Sequence, residues 1–114
     1  MIHKPYNVVL LTLDRHAAGP AARVAPALAM DFPGLQLKIH AAAEWAKDPQ
    51  TLADAKADVA SADIVVTSVI FLEEHIQAIQ PDWLARRDAC DAMVGVIADQ
   101  EIVQLTKMGD LDMM

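Results

Sequence analysis

Three groups of side chains in this 114-residue chain have the chemistry to hold a ligand or move a proton. Asp14 and His16 form the first, Glu73, Glu74 and His75 the second, and Asp99 with Glu101 the third. Carboxylates beside imidazoles can bind a divalent cation or perform acid-base work. Each group directly follows an apolar run, so the residues Asp14, His16, Glu73, Glu74, His75 and Glu101 are candidates for one ligand-facing rim. A plainer reading carries more weight. Acidic residues in a first helical turn are favoured by the helix dipole, and His16 can hydrogen-bond its own loop.

The apolar runs are what must position these groups. Ile64 to Leu72 holds nine uncharged residues with no polar alternation, the pattern of a strand buried on both faces of a parallel sheet. Asn7 to Leu13 reads the same way, Leu35 to His40 alternates like a half-exposed edge strand, and Ala92 to Ala98 makes a fourth strand. Helical spacing covers Ala17 to Met30 and Pro49 to about Ala62. A third helix is expected from Glu73 to Asp88, split or kinked near Gln80 by Pro81. Asp99 is placed to cap a closing helix that runs to Lys107. Met108 to Met114 has no evident partner and reads as a frayed tail.

This alternation predicts an α/β fold: three layers, a flavodoxin- or Rossmann-like parallel sheet of four strands in the order 2-1-3-4, and helices on both faces. Ligands in such sheets bind outside the carboxyl ends of the strands, where the candidate rim would lie. Strand four would be an apolar edge, requiring a partner, a second copy or further chain to cover it.

Composition narrows the function classes. A chain this short makes one domain at most, and its 54% apolar and 22% charged residues are those of a globular protein. The net charge of -7 opposes a phosphate backbone, and no basic cluster exceeds Arg86-Arg87. Nucleic-acid binding is excluded on that ground. The longest apolar run is about half of the ~20 residues of a membrane span, which predicts a cytoplasmic protein. Cys90 is the single cysteine and reads as a packed thiol. With glycines only at 19, 34, 95 and 109, neither Gly-rich phosphate loop is present. The end of strand three offers no acid for a phosphate-accepting receiver domain, and Ser68 lacks a nucleophile-elbow context. Trp45 and Trp83 read as a loop anchor and a helix-packing residue.

Four segments carry a family resemblance: VVLLTLDRHAAG (8–19), LKIHAAAEW (37–45), DIVVTSVIFLEEHI (63–76) and RRDACDAMVGVIADQEIVQLTKMGDLDM (86–113). Together they resemble the N-terminal domain of the large H subunit of magnesium chelatase, in order and over nearly the whole chain. Thr12, Leu13, Asp14, His16 and Gly19 match that family's pattern, as do Phe71, Glu73, Glu74, His75 and Ile76, and Glu101, Leu105, Thr106, Lys107 and Gly109. Ala17, Ala98-Asp99-Gln100 and Leu111 depart from it, standing in place of a larger apolar residue, Ser-Ala-Gly and an aromatic.

The resemblance implies a porphyrin-binding subunit that works with an ATPase motor of I and D subunits to insert Mg2+ into protoporphyrin IX, in chlorophyll and bacteriochlorophyll synthesis. A cobalt-inserting chelatase has a similar large subunit. Such a subunit is far longer than one domain, so the expectation is a truncated N-terminal piece, a docking or structural module with no chelatase activity, catalytic residue or cofactor of its own. Its partners would be the I and D subunits, the rest of the H subunit and porphyrin, with self-association through the strand-four edge. A phototrophic eukaryote would place it in the plastid stroma. The alternative is an independent small-molecule or metal-binding domain using Asp14, His16, Glu73, Glu74 and His75.

Overall fold

The computed structural model describes residues 5–13 and 18–114. The elements run β1 (Tyr6–Thr12), α1 (Ala18–Asp31), β2 (Leu35–Ala41), a 3-10 turn (Ala42–Glu44) and α2 (Pro49–Ala60). They continue with β3 (Ile64–Ser68), α3 (Glu73–Arg87), β4 (Ala92–Val96), α4 (Gln100–Val103), β5 (Lys107–Met108) and β6 (Leu111–Asp112). The sheet order is β2-β1-β3-β4-β5-β6, with the first four strands parallel and the last two antiparallel. The parallel core has the expected order 2-1-3-4, and β1 and β3 are direct neighbours, Thr12 facing Ser68.

Two strands more than expected complete the sheet. Lys107, expected to end the closing helix, and residues 108–112, expected as a frayed tail, form the β5–β6 hairpin, and β5 pairs with the outer edge of β4 through Met93–Lys107 and Ala92–Met108. The expected open edge of strand four is thus covered at Ala92 and Met93 by the chain's own hairpin. Gly109, at φ 54°, supplies the left-handed residue of the tight turn. The hairpin is tied down by Arg87, a buried guanidinium on α3. It donates to the Leu105 carbonyl at 3.0 Å, to the Thr106 carbonyl at 3.5 Å and to the Asp112 carboxylate.

Two helical expectations and one strand change in length or shape. Pro81 sits inside an unbroken α3, and α4 is only four residues long, although Asp99 caps it as expected by accepting from Glu101 N at 3.0 Å. Strand β3 ends at Ser68, four residues before the apolar run does. Asp48 caps α2 through Gln50 N at 3.0 Å, with Pro49 in the first turn where its missing N–H costs nothing.

Right-handed crossovers run from β1 toward β2 and then back toward β3 and β4, which puts α1 on one face and α2 and α3 on the other. The second face is sealed. Val9, Leu11, Val65 and Met93 are buried there against Ala55 and Val59 of α2 and Ile76, Ile79 and Trp83 of α3. Each fully buried aliphatic side chain contributes about 1.5–3 kcal/mol. Gly95 lets α4 close on β4, since a Cβ there would come within 2.5 Å of the Ile102 carbonyl oxygen. On the α1 face, Val8, Leu10, Ile64, Val66 and Val94 are only half-buried, so the central strands are not covered on both sides as their composition predicts.

Candidate functional site

The carboxyl ends of β1 and β3 meet in a hydrogen bond, Ser68 Oγ to Thr12 Oγ1 at 3.2 Å. One residue beyond the ends of β3 and β4 the backbone departs from ordinary sheet geometry. Val69, after β3, and Ile97, after β4, have φ of 56° and 47°, and Val69 N donates to the Ile97 carbonyl at 2.8 Å. A β-branched residue in the left-handed region costs about 1–3 kcal/mol, and two such residues bonded to each other mark a rim held in place by its surroundings. Ile70 then plunges into the core and its carbonyl accepts from Asp99 N at 2.9 Å, so the two departing loops are laced together. The side chains left outside are apolar. Phe71 is 51% exposed and Ile97 75%, with Leu72 and Val96 beside them in sequence and also exposed.

α3 starts from this rim. Leu72 N-caps it without a side-chain bond, and Glu73 and Glu74 occupy the first turn, where the positive end of the helix dipole favours them. Glu73 is exposed and accepts from Gln77 Nε2 at 3.0 Å. Glu74 is exposed too, whereas the His75 side chain is only 12% exposed and turns inward against Trp45. The two rings meet edge to face, centroids 6.1 Å apart and planes at 84°. Trp45 reaches that position because the 3-10 turn after β2 folds the chain back under the helices, burying Ala42 and Trp45.

These two rings, with Ala46, Leu52, Glu74 and Ala78, line a pocket of about 150 Å3 between the first turns of α2 and α3. Trp45 Nε1 and His75 Nδ1 are both buried, and neither has a hydrogen-bond partner among the described residues. The Glu74 carboxylate lies 4.0 Å from His75 Nε2. Among the described residues no group of three His, Cys, Asp or Glu could hold a metal ion.

Of the sequence-predicted rim, the structure brings Glu74 and His75 to one pocket. It leaves Glu73 pointing to solvent and puts Glu101 on the exposed side of α4. Asp14 and His16 lie outside the described residues. Sequence reasoning took Trp45 for a loop anchor, and its burial agrees, but its place as a pocket wall was missed. The only signal was its position a few residues past a strand end, shared with the acidic groups. Val69 and Ile97 carried no signal, because β-branched residues are poor predictors of positive φ.

Titration behaviour outside the rim is set by plain causes. The Tyr6 hydroxyl, at the amino end of the sheet, donates to Asp91 at 2.6 Å, and that bond pushes its pKa up to about 12. Burial raises the Cys90 thiol, in keeping with a packed cysteine.

Residues 7–114 match the family described as "Domain of unknown function (DUF3479)". The chain belongs to this family. The matched range runs through β6, so the hairpin that closes the sheet is part of the DUF3479 domain itself. The domain is homologous to the H subunits of magnesium chelatase from two bacteria. That of Rhodobacter capsulatus is 58% identical over 113 residues, covering 97% of this chain and 10% of its own length. That of Cereibacter sphaeroides is 59% identical over 108 residues, 95% of this chain and 9% of its own. The chain thus spans about a tenth of the length of the curated relatives it matches. None of the helices among the described residues is long and apolar enough to cross a membrane.

Proposed function

We propose that this DUF3479 domain is the N-terminal domain of a magnesium-chelatase H subunit, the porphyrin-binding member of an ATP-dependent complex. That complex inserts Mg2+ into protoporphyrin IX on the way to chlorophyll and bacteriochlorophyll. The observation that carries the reading is the 58% identity over 97% of the chain to a protein of that name. The domain's own part is docking and support, and it has no chelatase activity alone.

The apolar rim supports a docking role. Four large side chains, Phe71, Leu72, Val96 and Ile97, stand exposed at the strand ends, and on a protein surface such a group marks a contact site. The remainder of the H subunit is the proposed cover, with the I and D subunits as partners of the assembled protein and porphyrin, Mg2+ and ATP handled by the whole complex.

The test is made in a full-length subunit carrying this domain, by porphyrin fluorescence quenching, pull-down with I and D subunits, and Mg2+ insertion. The expected result is that the whole subunit quenches porphyrin fluorescence and supports insertion, while Ile97→Asp lowers insertion and loosens the fold around the rim. A full-length protein that neither binds porphyrin nor supports insertion removes the reading.

A further inference from the structure

We propose that the α1 face of the sheet, over β3 to β6, seats an amphipathic helix supplied by the remainder of the full-length H subunit. The inference rests on the chelatase reading above and names what this face binds. In-register partners on neighbouring strands point to the same side of a sheet. Ile64 therefore shares a side with Ala92, Met108 and Leu111, Val66 with Val94, and Ser68 with Val96. The alternate residues point the other way, where Val65 and Met93 enter the core and Asp112 meets Arg87 of α3. The side so defined is apolar across four strands, with Ser68 its one polar side chain. Ile64, Val66, Ala92 and Val94 are half-buried, and Val96, Met108 and Leu111 are 42%, 44% and 50% exposed.

Parallel sheets are built with both faces covered by helices. Here α2 and α3 lie on the far side and α1 packs mainly against β2, which leaves β3 to β6 without a helix among the described residues. Four strands at a spacing of about 4.8 Å make a strip about 14 Å wide, room for one helix of about 10–12 Å diameter. Because the strip carries no charge, its complement is a helix with an apolar stripe at i, i+3, i+4 and i+7 and a polar outer side. Length and charge point to its source. Two copies of a chain with net charge -7 repel each other, whereas the matched H subunits have about nine-tenths of their length outside the matching segment. A helix on the same polypeptide meets the strip at an effective concentration of about millimolar, an advantage that a separate molecule lacks. The strip also runs into the docking rim at Val96, so one body covers both.

The test places a benzophenone side chain at position 108 and, separately, at position 94 of a full-length subunit carrying this domain, and identifies the crosslinked peptides by mass spectrometry. Both are expected to attach to one segment of the same polypeptide, with apolar residues at helical spacing. Met108→Lys is expected to lower the yield from position 94 severalfold, by setting a charge beneath the helix. A benzophenone at position 77, on the exposed side of α3, is the control and should not reach that segment. The readout needs no porphyrin, Mg2+ or ATP, so its failure and the failure of the chelatase reading are seen separately. Attachment to a second copy or to the I or D subunit, attachment to a segment without helical spacing, or none in a folded subunit overturns the proposal. So does the same product from position 77, or a yield that Met108→Lys leaves unchanged.

Discussion

The two faces of the sheet are built from the same strands and finished to different standards. Val9, Leu11, Val65 and Met93 on one face are buried under α2 and α3, while their neighbours Val8, Leu10, Val66 and Val94 on the other are half-buried. The composition of the two sets is alike, so the difference lies in what covers them. α2 and α3 pack on each other as well as on the sheet, joined by Lys56–Asp82 at 3.0 Å and by Arg86 Nε donating to the Ala62 carbonyl at 2.8 Å. α1 stands alone on its side. None of its side chains from Pro20 to Asp31 is buried, and Met30 is 83% exposed. One face is a completed core; the other has the apolar surface of a core with, among the described residues, a single helix laid over it.

The largest contrast is expected between substitutions that delete apolar groups on opposite sides. Trp83→Ala should cost about 3–5 kcal/mol of stability, the range for a large core aromatic. Val66→Ala should cost about 1 kcal/mol, because it deletes far fewer atoms than the tryptophan substitution and its side chain is only partly shielded from water. Chemical denaturation of the two variants measures the gap, and equal losses would mean that the α1 face is as tightly packed as the other.

Arg87→Ala should follow, at about 1.5–3 kcal/mol, the worth of hydrogen bonds from a charged donor. It frees the β5–β6 hairpin and bares the edge of β4, so amide exchange should rise at 107–112 and the protein should gain a tendency to associate. A variant that stays monomeric with a protected hairpin would show that strand pairing alone holds it.

The smallest effect is a pH dependence at the same anchor. The hydrogen bond from Arg87, and then that from Met114 N, hold the Asp112 carboxyl below its ordinary value of 3.8. A carboxyl depressed on folding stabilises fully above the unfolded value and loses that contribution as pH falls through the lower folded one. The hairpin should therefore loosen as the solution is acidified below that ordinary value, seen in the Met113 amide signal, whereas the sealed α2/α3 face should not respond. Asp112→Asn should remove the acid transition.

The sequence was legible where structure is periodic. The uninterrupted apolar runs at 7–13 and 64–72, and the helical spacing between them, led to the parallel core and its order, because the side-chain repeat of an element is written within a few neighbouring residues. Pro49 and Asp99 marked helix starts for the same local reason. The hairpin at 107–112 was missed because two-residue strands carry no period; they exist only because β4 offers an edge and Arg87 a clamp. The pocket was half legible. Glu74 and His75 were candidates by type and position, but their partner Trp45 comes from another loop.

What the chain determined by itself was therefore its class, the order of its parallel strands and the residue types gathered near the strand ends. Which face became dry, which β-branched residues took positive φ, and which ring His75 turned to were decided by the tertiary structure alone. Each depends on atoms brought together from segments far apart in the chain, and burial and hydrogen bonding respond to that proximity rather than to sequence spacing.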